Sequence, residues 1–337
     1  MGGILRKKLD EKQSALIKPK MEARTVEPAL NCLEQGGPRE DATLEAMLRT
    51  RTVGRPPVHP SLLLLGSMLS LQLGAAWGKE LFGTLGVGGT VLMRLGIGGL
   101  ILLAWWRPNI RTLSARDWRA VSGLGVALAL MTFCFYSSVQ YLPLGVAVAL
   151  EFTGPLTLAL LGSRRALDVV WALLAGVGVL LLSPLLGASI PLPGLLWVSG
   201  AAIMWVAYIL MSARVGQRFE GGQGLALSLN LAALFLIPVA LLQMGSTTGA
   251  ALLEPKIWTG GILMALLSSV IPFSLEMEAL RLLPTRVFSV LLSLEPALAA
   301  LVGLVVLHER LSAVQTGAIA LVVGASIGSS WLHSRER

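Results

Sequence analysis

A few ionisable residues stand inside otherwise apolar runs of this chain: Lys79 and Glu80, Arg94, Glu151, Glu276 and Glu278, and Glu295. A charge in hydrocarbon costs several kcal/mol at least, so each is a functional candidate until a partner explains it. Together they suit one kind of chemistry. A zwitterionic solute needs a cation or a half-helix N-terminus for its carboxylate, and a carboxylate for its ammonium. A proton-driven cycle further needs a carboxyl group that burial brings towards neutrality in pKa. Glu151, Glu276 and Glu295 fit the carboxyl roles, with Arg94 and Lys79 as the cations. Structural readings stand beside these. Lys79 and Glu80 lie near a span end, where long side chains snorkel to the interface. Arg94 sits only a few residues inside its span, where it would also serve to pair with an acid. Glu276 and Glu278 are two residues apart, about 200° around a helix, so they cannot both face one cavity.

The elements that must position these groups announce themselves by a repeat. Tyr141 to Leu160 reads YLPLGVAVALEFTGPLTLAL, with Glu151 near the middle and Gly154-Pro155 just after it. From Leu283 the chain reads LPTRVFSVLLSLEPALAALVGLVVL, with Glu295 directly before Pro296. Pro143 and Pro284 are 141 residues apart, as are Pro155 and Pro296. The acids are offset: Glu151 falls opposite Leu292, and Glu295 opposite Gly154. Proline removes a backbone donor and obstructs the preceding turn, so helix breaks are expected at Gly154, Pro155 and Pro296. Two halves with interrupted apolar segments in matching places are the pattern of a transporter built from repeats.

Composition agrees. The chain is 54% hydrophobic and 14% charged, with a mean hydropathy of +0.73, whereas soluble domains carry about 25% charged residues. This is an integral membrane protein. Ten spans of roughly 20 residues can be drawn, at 61-82, 88-106, 117-139, 144-162, 168-187, 192-213, 224-244, 258-280, 286-307 and 312-332. The fold class expected is all-α, ten transmembrane helices as two inverted five-helix repeats, 60-190 and 191-333. One set of loops and the C-terminus carry Arg107, Arg111, Arg116, Arg119, Arg164, Arg165, Arg214, Arg218, Arg281, Arg286, Arg335 and Arg337. The alternating loops hold only Lys256 and Arg310. Twelve against two places the arginine-bearing loops and both termini in the cytoplasm. Five spans per half, an odd number, makes the repeats inverted.

The net charge of +8 lies in loops without aromatic interleaving, so it speaks for orientation rather than nucleic acid. Cys32 and Cys134 make no plausible disulfide, and His59, His308 and His333 add too little for a metal site. The spans carry no HExxH, P-loop or GxSxG pattern, which leaves little support for an enzyme, and no cofactor is expected. Trp77 and Trp205 occupy corresponding places in the two halves, where packing is the simpler reading. Trp105, Trp106, Trp118, Trp258 and Trp331 read as interfacial anchors. Met131, Phe133, Phe135 and Tyr136 read as core. Residues 1-59 differ from the rest, with eleven Lys/Arg, eight Asp/Glu and no apolar core of a leader. They read as a disordered basic cytoplasmic tail. A start of translation at Met47 would leave only a short basic leader.

The segments YLPLGVAVALEFTGPL and LLPTRVFSVLLSLEPALAALVGLVVLHERLS resemble the EamA-type branch of the drug/metabolite transporter superfamily, as does the acid-x-leucine sequence Glu309 to Leu311 before the last span. The likeness covers about 61 to 332. It is stronger still to a member that exports threonine and homoserine, through PLGVAVALEFTGPL, PFSLEMEALRLLPTR and SLEPALAA, and more loosely WGKELF and VLMRLGIG. The resemblance implies export of small hydrophilic amino acids across the inner membrane, coupled to protons. It also favours Glu276 over Glu278. Its implied partners are a small amino-acid substrate, protons and lipid, with no nucleic acid and a homodimer left open. The site is expected near the midplane, between the third, fourth, eighth and ninth spans. Spacing alone reaches only a secondary transporter of a small polar or zwitterionic solute. The rivals are the same fold carrying another metabolite or a toxic amphiphile, and a non-transporting sensor or scaffold using the tail.

Overall fold

Apolar runs broken by proline and glycine become helices because a membrane leaves a chain few alternatives for satisfying its backbone. The computed structural model describes residues 59–161, 166–181, 191–243, 252–283, 288 and 291–333, all within one compact unit, Val58–Arg337. The expected tail at 1-59, apart from His59, lies outside them, as do Cys32, Arg164, Arg165, Pro284, Arg286, Arg335 and Arg337. The described residues form α1 (Pro60–Glu80), α2 (Phe82–Trp106), α3 (Ala115–Val139), α4 (Leu144–Glu151), α5 (Thr153–Leu161), α6 (Ala166–Leu181), α7 (Leu192–Gly216), α8 (Gln223–Gln243), α9 (Pro255–Ala265), α10 (Ile271–Leu282), α11 (Glu295–Val306) and α12 (Ala313–His333). There is no strand among them. Six helices are long and apolar enough to cross a membrane. Among the described residues, each of the ten expected spans overlaps one helix, or two in line.

Proline explains the segmented spans. The fourth span divides at Phe152, whose φ of −62° and ψ of −17° keep the chain close to helical. Pro155 thus sits in the first turn of α5, where its missing N–H would have no helical partner in any case. Pro296 likewise sits in the first turn of α11, directly after Glu295. The breaks therefore precede the prolines by one to three residues. Gly154 serves close packing instead, since a Cβ there would overlap the backbone carbonyl of Ala202 on α7. Gly145 similarly lets α4 press against Ala300 of α11, where a Cβ would approach to 2.6 Å.

The eighth span contains a π-helical turn, Leu266–Val270, between α9 and α10. Its backbone groups can be followed one by one. The Ile271 N–H reaches back to the Leu266 carbonyl, which frees the carbonyl of Leu267. The Ser70 hydroxyl of α1 donates to that oxygen at 2.7 Å. Pro272 has no N–H for the Ser268 carbonyl, and Arg94 of α2 supplies one at 2.9 Å. The Ser67 hydroxyl donates in turn to the Pro272 carbonyl at 3.0 Å.

Packing pairs the spans across the two halves. Numbered one to ten, the most extensively packed pairs are three with six, two with seven, one with eight, three with seven and five with ten. Then come two with eight, four with six, four with nine and one with nine. The core is dominated by leucine, valine and alanine from all of these, with Tyr136 among its largest fully buried side chains.

Candidate functional site

A cavity of about 90 Å³ lies where α1, α2, α3, α4, α7 and α11 meet. Its polar lining is Gln72, Arg94, Thr132, Glu151 and Glu295, and its apolar lining includes Met131, Phe135, Val148 and Trp205. Glu151 ends α4 and Glu295 begins α11, so the two segmented spans deliver one carboxylate each. Both are buried, at 8% and 6% exposed. Neither belongs to an ion pair among the described residues. Glu295 accepts a hydrogen bond from the Gln72 amide at 3.2 Å. Glu151 interacts electrostatically with Glu295 and with Arg94.

Arg94 faces this cavity, yet two of its donors are directed at the π-helical turn, one of them at its backbone. Besides the Ser268 carbonyl, its Nε lies 3.5 Å from the Ser269 hydroxyl. Its guanidinium also sits 5.4 Å from the centre of the Tyr136 ring, in cation–π range. The eighth span reaches the cavity only through Arg94. Glu276, on α10, is half-buried and does not line the cavity, though it interacts electrostatically with Glu295. The expected set of spans three, four, eight and nine thus becomes one, two, three, four, six and nine. The reason is that Arg94 stands in front of the opened backbone at Ser268.

Lys79 is elsewhere. It forms an ion pair with Glu309 at 2.7 Å, beyond the end of α11. The second oxygen of Glu309 accepts the N–H of Leu144 at 2.7 Å, which satisfies one orphan donor at the start of α4. Glu80 is exposed and lines a wider surface groove with Trp77, Glu254 and Lys256. Glu278 faces a different pocket, beside Trp105 and Trp106. The two tryptophans that matched in sequence part company: Trp205 lines the cavity and stacks edge-on against Phe152 at 5.6 Å, whereas Trp77 is 42% exposed. Met131 and Phe135, expected only as core, also face the cavity.

Little in the sequence marks Gln72, Thr132 or Ser268. Gln72 is a lone amide in the apolar run LSLQLGAAW, and Pro272, four residues after Ser268, marks the carbonyl that Arg94 takes. No cluster of three or more His, Cys, Asp or Glu that could hold a metal occurs among the described residues.

The EamA-like transporter family model matches residues 192–331. The threonine/homoserine exporter RhtA of Escherichia coli (strain K12) is 41% identical over 279 residues, 82% of this chain and 93% of the relative. The exporter of the same name from Salmonella typhimurium (strain LT2) is 40% identical over the same shares. One crystal structure superposes with a TM-score of 0.51 at 19% identity, over 82% of this chain and 98% of its own, a likeness of fold alone. With a relative this similar along most of both lengths, the chain belongs to the EamA-like transporter family, as a multi-pass membrane protein and a transporter rather than an enzyme.

Proposed function

We propose that the protein exports small hydrophilic amino acids, of the threonine and homoserine type, from the cytoplasm across the inner membrane in exchange for protons. The observation that carries this is the pairing of two buried carboxylates, Glu151 and Glu295, around one cavity that Arg94 also faces. A buried carboxylate without a cationic partner is costly, and it is tolerated where it binds a cation or a proton in turn. In this reading one glutamate carries the exchanged proton and the other receives the substrate ammonium. Arg94 faces the substrate carboxylate. The names of the similar exporters support the cargo. The compact, acceptor-rich lining supports a small polar solute over a wide amphiphile.

Alternating access between two inverted five-span repeats would expose the cavity to each side in turn. Support comes from the packing pattern. Replacing each span n by its counterpart five places along turns one-with-eight into six-with-three and one-with-nine into six-with-four. It turns three-with-seven into eight-with-two, and leaves two-with-seven, four-with-nine and five-with-ten unchanged. The nine most extensively packed pairs map onto themselves, as a two-fold relation between the halves would have it. The arginine-rich loops favour cytoplasmic termini.

The test is efflux from cells preloaded with radiolabelled threonine or homoserine, with and without the protein, and again after the proton gradient is collapsed. Faster, gradient-dependent efflux is expected. Unchanged efflux with the protein folded in the membrane would remove the amino-acid cargo.

A further inference from the structure

We infer that Gln72 is a specificity-determining residue that accepts a hydrogen bond from the side-chain hydroxyl of the solute, an inference that rests on the amino-acid reading above. Gln72 is only 2% exposed, in the middle of an apolar span, and its side chain lines the cavity. Its amide is oriented by one contact: Nε2 donates to Glu295 at 3.2 Å. That leaves Oε1 as the free end, and Oε1 is buried with no hydrogen-bond partner among the described residues. Buried polar atoms are nearly always paired, and a carbonyl oxygen so placed calls for a donor.

No donor among the described residues is bonded to this oxygen. Arg94 donates to Ser268 and Ser269, and the remaining N–H of Gln72 belongs to the same group as the orphan itself. The missing donor therefore fits the solute. A zwitterionic amino acid brings an ammonium, for which two carboxylates are the stronger acceptors. The neutral oxygen of Gln72 is suited to a neutral donor, and a hydroxyl is the one that threonine and homoserine have and aliphatic amino acids lack. Such an arrangement discriminates well, because a site built to bond a hydroxyl is left unpaired when a methyl replaces it.

Threonine and valine differ by that one replacement, and they supply the test. The full chain is reconstituted in lipid vesicles, and the ratio of threonine to valine transport efficiency is measured for wild type and Gln72→Met. Methionine keeps the length and apolar volume of the side chain while removing both its amide groups. Wild type is expected to prefer threonine, and Gln72→Met to lower that ratio by about tenfold, mainly through threonine. Losing the bond to Glu295 would slow both solutes alike, so a parallel fall with the ratio unchanged overturns the inference. Equal transport of both solutes by wild type overturns it too, while sparing the amino-acid reading. Wild-type vesicles that move neither solute overturn that reading, and this inference with it. Stabilisation of the detergent-solubilised protein against heating by each amino acid gives the same ratio independently of flux. It should show threonine stabilising wild type more than Gln72→Met, with valine indifferent to the change.

Discussion

Two groups of charged residues in this molecule use the same chemistry to opposite ends. At one end of the bundle Lys79 and Glu309 neutralise each other at 2.7 Å, and the remaining Glu309 oxygen holds the Leu144 N–H. In the interior Glu151 and Glu295 face one cavity with no cation bonded to either among the described residues, while Arg94 donates to the Ser268 carbonyl of the eighth span. The first group is complete in itself and ties together the end of α1, the start of α4 and the segment after α11. The second is incomplete and has capacity to spare. Charge in a membrane protein therefore does not mark function by presence alone. What marks it is burial without a partner.

The largest expected effect comes from removing the unpaired charges. Glu151→Gln and Glu295→Gln should each abolish transport while leaving expression and the elution profile in detergent close to wild type. A glutamine retains size and hydrogen bonding but can neither exchange a proton nor hold an ammonium as an anion does. Wild-type flux in both variants would sink the assignment of the cavity.

Removing the paired charges should give the reverse signature. Glu309→Ala strips both the Lys79 ammonium and the Leu144 N–H of their acceptor, and should destabilise the fold by about 2 kcal/mol. Lys79→Met leaves the Leu144 bond in place. Because Lys79 is 30% exposed, water screens what is lost, and the cost should be nearer about 0.5 kcal/mol. Thermal unfolding in detergent measures both, and transport per folded molecule should survive in each. If Lys79→Met instead stopped transport in a well-folded protein, the two groups would have to be read as one working system.

The contrast was only partly legible in the sequence. The spans were, because hydropathy is nearly sufficient to define a segment that must satisfy its own backbone in lipid. The carboxylates at Glu151 and Glu295 were, because their cost is evident in any apolar run. Partners were not. Lys79 reads as a snorkelling end residue until the fold brings Glu309 to it from 230 positions away. Arg94 reads as a cation in search of an acid, and what it finds is a carbonyl that Pro272 cannot serve. Gly154 reads as part of a helix break, but the chain stays near-helical at Phe152 and the glycine makes room for Ala202. Gln72 does not stand out because a neutral amide in a span is ordinary helix glue. The offset between the halves also gains a meaning. Where the second half places Glu295, bonded to Gln72 of the first span, the first half places Gly154, pressed against the sixth.

The smallest effect should come from a third pair, and it calibrates the other two. Arg218 donates to Asp117 at 2.9 Å, joining the segment after α7 to the first turn of α3. By distance this bridge, at 2.9 Å, is within 0.2 Å of that between Lys79 and Glu309 at 2.7 Å. It differs in setting: the Arg218 side chain is 41% exposed, and Asp117 keeps its capping box with Ser114 whether or not the arginine is there. The helices it links are already packed along their lengths. An exposed pair of this kind is worth little, because water offers each partner nearly as good a contact and salt screens the rest. Arg218→Met should therefore melt with wild type at low and high salt alike, and transport at the wild-type rate. A loss of stability matching that of Glu309→Ala would mean that partnership itself, and not the exposure of the partners, sets what an ion pair contributes in this fold.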